Sequence, residues 1–119
     1  MALDNTQVLL KSRPSGWVTE DNFEIVTTTA GEPGDGQVLV RNLYMSVDPY
    51  MRGRMNAGKS YAAPWEIGKP AQAGMVGQVV ASKAPNLAEG DYVTGMLGWE
   101  QYSLASGKAL MPVSKEAVP

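Results

Sequence analysis

Apolar positions along the chain fall into short runs that either alternate with polar residues or stand together. Seven of these runs are rich in β-branched and aromatic residues and read as strands: 7–11, 23–28, 37–47, 75–82, 92–96, 100–104 and 109–113. Turn-forming clusters separate them, at 13–16, at GEPGDG (31–36), at 85–90 and at 106–107. In 37–47 both alternating faces are apolar, with Val38, Val40 and Tyr44 on one and Leu39, Leu43 and Met45 on the other. Such a strand is covered on both sides, or crosses from a barrel interior to a covered exterior. Many short strands with frequent turns predict a mainly-β barrel or sandwich.

Two stretches break the pattern. In SVDPYMRGRM (46–55), Asp48 followed by Pro49 predicts a helix start, with the aspartate as cap and proline at the first helical position. Gly53 keeps that helix short. The segment 56–70, NAGKSYAAPWEIGKP, has no period and carries Tyr61 and Trp65, two aromatics that predict docking onto the barrel.

Composition narrows the chemistry. The 119 residues suit one domain. Their 13 glycines and 8 prolines argue against a helical bundle. With no cysteine and no histidine, the chain makes no disulfide, no thiolate or imidazole zinc site, and uses no cysteine nucleophile or histidine base. The formal charge is -2 and the basic residues are scattered, so no nucleic-acid partner is expected. No apolar run approaches membrane-spanning length, and MALDNTQ lacks the features of a signal peptide, so no membrane partner and a cytoplasmic location are expected. No G-x-G-x-x-G or Walker sequence occurs. GEPGDG reads as a tight turn, because a strand pattern and not a helix follows it.

The runs NLYMSVDPYMRGRM (42–55), IGKPAQAGMVGQVVAS (67–82) and GDYVTGMLGWEQYSL (90–104), with SRPSGWVTEDNFEI (12–25), together form a pattern. It resembles the N-terminal half of zinc-independent medium-chain dehydrogenases/reductases. The group in question holds alkenal/enone double-bond reductases, leukotriene/prostaglandin reductases and bacterial curcumin-reductase-like NADP-dependent oxidoreductases. The resemblance implies a GroES-like β-barrel with a few short helices, with residues 1–119 as a substrate-side catalytic domain. It implies a following Rossmann domain, absent from this chain, that holds most of an NADPH molecule. The substrate implied is an α,β-unsaturated aldehyde or ketone, bound in the cleft between the two domains. The full-length enzyme is then expected to pair through the absent domain, and this piece to be an inactive monomer.

Zinc-dependent relatives carry a cysteine after the third strand and Gly-His-Glu before the central one. Here those places fall in 47–50 and in AGMVGQVV (73–80), without a ligand, which places the chain in the metal-free branch. Hydride transfer to an enone needs no Lewis acid where hydrogen bonds stabilise the developing enolate oxygen.

By the same resemblance Tyr50 is the candidate catalytic residue, a phenol able to pack on the enone or donate to its oxygen. Met51 and Arg52 are candidates for the cofactor side. Tyr50, Tyr61, Trp99 and Glu100 are candidates for substrate contact. For Arg52 and Arg54 an ion pair with a carboxylate is the favoured structural role, Tyr102 reads as a core strand residue, and Trp65 either closes over a substrate or pins its loop. Plant relatives carry an aromatic near Gly74, and its absence here speaks against a phenylpropanoid-type preference. The competing reading is a non-catalytic GroES-like binding or oligomerisation module. A quinone-type reductase half shares the fold, but DPYMR argues against it.

Overall fold

A computed structural model describes residues 3–57 and 63–118. The strands are β1 (Asp4–Leu10), β2 (Phe23–Thr29), β3 (Gln37–Met45), β4 (Gln72–Ser82), β5 (Tyr92–Gly98), β6 (Tyr102–Ser106) and β7 (Met111–Val113). One short helix, α1 (Tyr50–Arg54), lies between β3 and β4, and three single-turn 3-10 segments complete the described elements. The mainly-β class and all seven strands match the sequence expectation. The boundaries differ where pairing overrides hydrophobicity: β1 starts at the polar residues Asp4–Thr6 because they pair with Thr29, Thr28 and Thr27 of β2.

β1 and β2 form an antiparallel pair, and the remaining strands form a five-stranded antiparallel sheet in the order β6-β3-β4-β5-β7. β1 joins the two. Val8 N–H donates to the Trp99 carbonyl at 2.8 Å, and Ala71 N–H donates to the Val8 carbonyl at 3.1 Å. The strand thus closes over the end of the β4–β5 ribbon, whose last pair is Gln72 with Gly98.

β4 alternates cleanly. Ala73, Met75, Gly77 and Val79 are buried, while the residues between them are not. At Gly77 a Cβ atom would collide with the Val40 side chain and the Arg41 carbonyl. This close approach lies between the two register shifts of the β3–β4 pair, after Leu39 and after Asn42. In β3, Val38, Leu39 and Val40 are all buried, as a strand covered on both faces requires. Leu43, Tyr44 and Met45 are exposed, so the expected covering stops halfway along the strand.

The helix start departs from the expectation. α1 begins at Tyr50, with Pro49 in the capping place, and no side-chain cap bond forms. The Asp48 carboxylate instead accepts the Ser46 hydroxyl at 2.6 Å, and the Asp48 carbonyl takes the Met51 N–H at 3.1 Å. Trp65, 3% exposed, belongs to the core with Leu10, Met51, Met55 and Met75, so it pins its loop. Tyr61 lies outside the described residues. No helix among the described residues is long and apolar enough to cross a membrane.

Candidate functional site

The exposed half of β3 borders a groove of about 340 Å³. Val8 of β1, Tyr44 and Met45 of β3, Met75 of β4 and the Trp99–Glu100 corner after β5 line it. Trp99 is held on three sides. Its indole stacks on Phe23 at 5.7 Å and meets Trp65 edge-on at 5.7 Å, while the backbone N–H of Trp99 donates to the Ala71 carbonyl at 2.6 Å. Aromatic pairs at these separations and angles are favourable beyond the area they bury. One wall of the groove is therefore rigid and flat.

Glu100 follows directly. One carboxylate oxygen accepts from Asn5 Nδ2 at 3.1 Å and from Gln7 Nε2 at 2.7 Å. The other accepts the Ser103 hydroxyl at 2.8 Å. Asn42 donates to the Ser103 oxygen at 2.9 Å and to the Glu100 carbonyl at 3.0 Å, while its own side-chain carbonyl has no partner among the described residues. The sequence reading placed Glu100 against substrate. In the structure, three donors from β1 and β6 already occupy its carboxylate. Tyr102, expected in the core, is half-buried on β6.

α1 follows the exposed end of β3. Tyr50 is half-buried and packs on the core, and Met51 beside it is 3% exposed. The Met51 sulfur accepts the Asp48 N–H at 3.4 Å. Arg52 donates to the carbonyls of Gly16 (3.0 and 3.1 Å) and Pro14 (3.2 Å) and to Asn56 Oδ1 at 2.6 Å. Arg54 donates to the Ala63 carbonyl and to Gln72 Oε1, each at 2.8 Å. Among the described residues the expected ion pairs are thus replaced by bonds to neutral oxygens: the chain folds back so that the backbone carbonyls of residues 14, 16 and 63 reach the two guanidinium groups.

Of the candidates read from sequence, the groove brings together Trp99 and Glu100. Tyr50 and Met51 pack with the core and are not among the lining residues, and Arg52 bonds to residues 14–16. Sequence reasoning missed the polar group Asn5, Gln7, Asn42 and Ser103. One signal was present: Asn42 stands between the apolar runs 38–40 and 43–45 of β3, and a partly buried amide there needs partners. No group of three or more acidic, cysteine or histidine residues suited to a metal occurs among the described residues.

Comparison with known proteins gives a consistent picture. A family model described as the N-terminal domain of oxidoreductase matches residues 6–113. The NADPH-dependent curcumin reductase of Escherichia coli K12 is 43% identical over 107 residues, covering 90% of this chain and 31% of that protein. The NADP(+)-dependent 2-alkenal reductase of Nicotiana tabacum is 38% identical over 122 residues, covering 98% of this chain and 36% of the relative. The crystal structure of CurA in complex with NADPH from Vibrio vulnificus superposes with a TM-score of 0.85 at 38% identity, covering 92% of this chain and 33% of that one. The chain thus spans about a third of the length of the relatives it matches.

Proposed function

Since this chain belongs to the family of oxidoreductase N-terminal domains, we propose that it forms the substrate side of an NADPH-dependent oxidoreductase that reduces the C=C bond of α,β-unsaturated aldehydes and ketones. The observation that carries the reading is the groove walled by Trp99 over Tyr44, Met45 and Met75. It is an open apolar slot with one rigid aromatic side, suited to a flat conjugated chain. A 2-alkenal, the substrate in the name of one relative, has that shape.

Bound NADPH would supply a hydride to the β-carbon, and a proton then adds at the α-carbon, giving the saturated carbonyl and NADP+. The cofactor fits this side of the molecule as a face and not as a cradle. Leu43, Tyr44, Met45 and Val47 leave an apolar surface exposed beside α1, against which a nicotinamide ring can lie. The phosphates are assigned to the remaining two thirds of the longer protein. Met51 supports that face from within, and Arg52 fixes it by tying α1 to residues 14–16. Tyr50 is proposed to donate a hydrogen bond to the substrate oxygen, with Trp99 as a wall of the slot and Glu100 at its border; Tyr61, outside the described residues, is kept as a proposed substrate contact. No metal enters the step. The longer protein is expected to be a cytoplasmic homodimer, and this chain alone a monomer.

The test is turnover by the full-length protein. NADPH consumption with a straight-chain 2-alkenal, yielding the saturated aldehyde and unaffected by a chelator, is the expected result. Reduction of the carbonyl to an alcohol, or activity confined to quinones, overturns the reading. The 119-residue chain alone should consume no NADPH with the same substrate.

A further inference from the structure

Beside Trp65, a second hollow of about 320 Å³ is lined by Arg54, Trp65, Glu66, Lys69 and Gln72, among others. Arg54 is only 8% exposed. Its guanidinium carbon lies 5.7 Å from the centre of the Trp65 ring. A guanidinium carries five N–H donors. Nε is used by the Ala63 carbonyl and Nη2 by Gln72, and Nη1 makes no hydrogen bond among the described residues. No carboxylate pairs with this cation either, among the described residues. A buried charge without a counter-ion is costly, and two neutral acceptors with an aromatic face offset it only in part. A second donor is idle nearby: the Trp65 indole N–H is buried and has no acceptor among the described residues.

We propose that this hollow is a binding site for the carboxylate group of a small organic acid, with Arg54 Nη1 as its main donor. The vacant Nη1 offers charge-assisted N–H donors, which a carboxylate oxygen accepts more strongly than a neutral acceptor does. Lys69 adds a second positive charge at the rim, while Glu66 subtracts one. The site is independent of the reductase reading, since it involves neither the Trp99 groove nor a cofactor.

Benzoate is titrated against the whole chain while the Arg54 Nε–H and Trp65 indole signals are followed by NMR. Benzamide, of the same shape but neutral, and inorganic phosphate serve as the other arms. Saturable shifts of both signals with benzoate, and none with benzamide, are expected. Arg54→Gln should weaken binding by roughly 10-fold or more. Because that variant disturbs a buried residue, the rim charges give a second test with exposed positions. Lys69→Gln should weaken benzoate roughly 2- to 5-fold and Glu66→Gln should tighten it by a similar factor. Equal shifts with benzamide, a response to phosphate alone, or indifference to both rim substitutions would overturn the proposal. None of these results depends on NADPH turnover, so failure here leaves the reductase reading standing, and the reverse holds as well.

Discussion

The side-chain amide of Asn5 pairs with the backbone of Tyr102 in both directions, donating to its carbonyl and accepting its N–H, each at 3.0 Å. One asparagine thus takes the place of a strand partner. It extends the β1 edge across to β6 and occupies peptide groups that a neighbouring strand would otherwise satisfy. The same amide nitrogen reaches Glu100, so the pairing also secures the corner that carries Trp99.

Asn5→Ala should therefore destabilise the chain by about 1–3 kcal/mol, because it strands the Tyr102 N–H and removes one donor from Glu100. Asn5→Asp should cost more than Asn5→Ala, since it sets a second carboxylate against Glu100. Urea midpoints of the two variants decide this, and a midpoint for Asn5→Asp above that of Asn5→Ala contradicts it.

Two glycines of β4 should behave in opposite ways. At Gly77 an added methyl meets the Val40 side chain and the Arg41 carbonyl, and the carbonyl is backbone that cannot turn aside. Gly77→Ala should cost about 1–3 kcal/mol. At Gly74 the nearest atom is the Ser46 Cβ at 3.9 Å, so Gly74→Ala should stay within about 0.5 kcal/mol of the parent or stabilise it. Thermal melts of the pair, compared with the parent, test both signs together.

The strands were legible because short apolar or alternating runs stand between glycine- or proline-containing turns. What escaped was set by long-range pairing. The polar start of β1 is a strand only because three threonines of β2 lie opposite. Asp48 was read as a cap from its proline neighbour, yet Ser46 captures its carboxylate first. The arginines were read as ion-pair partners, because nothing local in the sequence shows that chain reversals bring the carbonyls of residues 14, 16 and 63 within reach. The groove itself was half legible: GWEQY marked the Trp99 wall, while the exposure of Tyr44 and Met45 depends on where covering by the rest of the fold ends.

Trp99→Leu should remove the stacking on Phe23 and the edge contact to Trp65 while keeping an apolar side chain. The loss is expected to be about 1–3 kcal/mol in stability, with most of the near-ultraviolet circular dichroism band disappearing. In the full-length protein the same change should raise KM for a 2-alkenal more than it lowers kcat, since a wall that serves binding alone acts on ground state and transition state alike. A change confined to kcat would instead place the indole at the reacting atoms.

Arg52 holds residues 14–16 through three hydrogen bonds to carbonyls, next to Trp17, which is 93% exposed. Arg52→Ala should free that loop with little effect on the core. The expected signs are faster proteolytic cleavage at 13–18 and a drop of about 1–2 kcal/mol in stability. Arg52→Lys should recover only part of the loss, because a single ammonium cannot reproduce the planar fork that reaches two carbonyls and Asn56. Full recovery by lysine would mean that charge alone, and not the geometry of the guanidinium, ties α1 to its loop.

Tyr50→Phe separates the two roles open to a half-buried phenol on α1. The ring and its packing remain while the hydroxyl is lost, so stability should change by less than about 1 kcal/mol. If the hydroxyl donates to the substrate oxygen, kcat/KM of the full-length enzyme falls by about tenfold, the worth of one neutral hydrogen bond formed more strongly as the oxygen gains charge. The fall should appear in kcat, and the pH profile should keep its shape, because a donor that holds its proton throughout adds no ionisation to the rate law. A loss of the basic limb in the Tyr50→Phe profile would show the phenol giving its proton to the product, and unchanged kcat/KM would leave it as packing on the core.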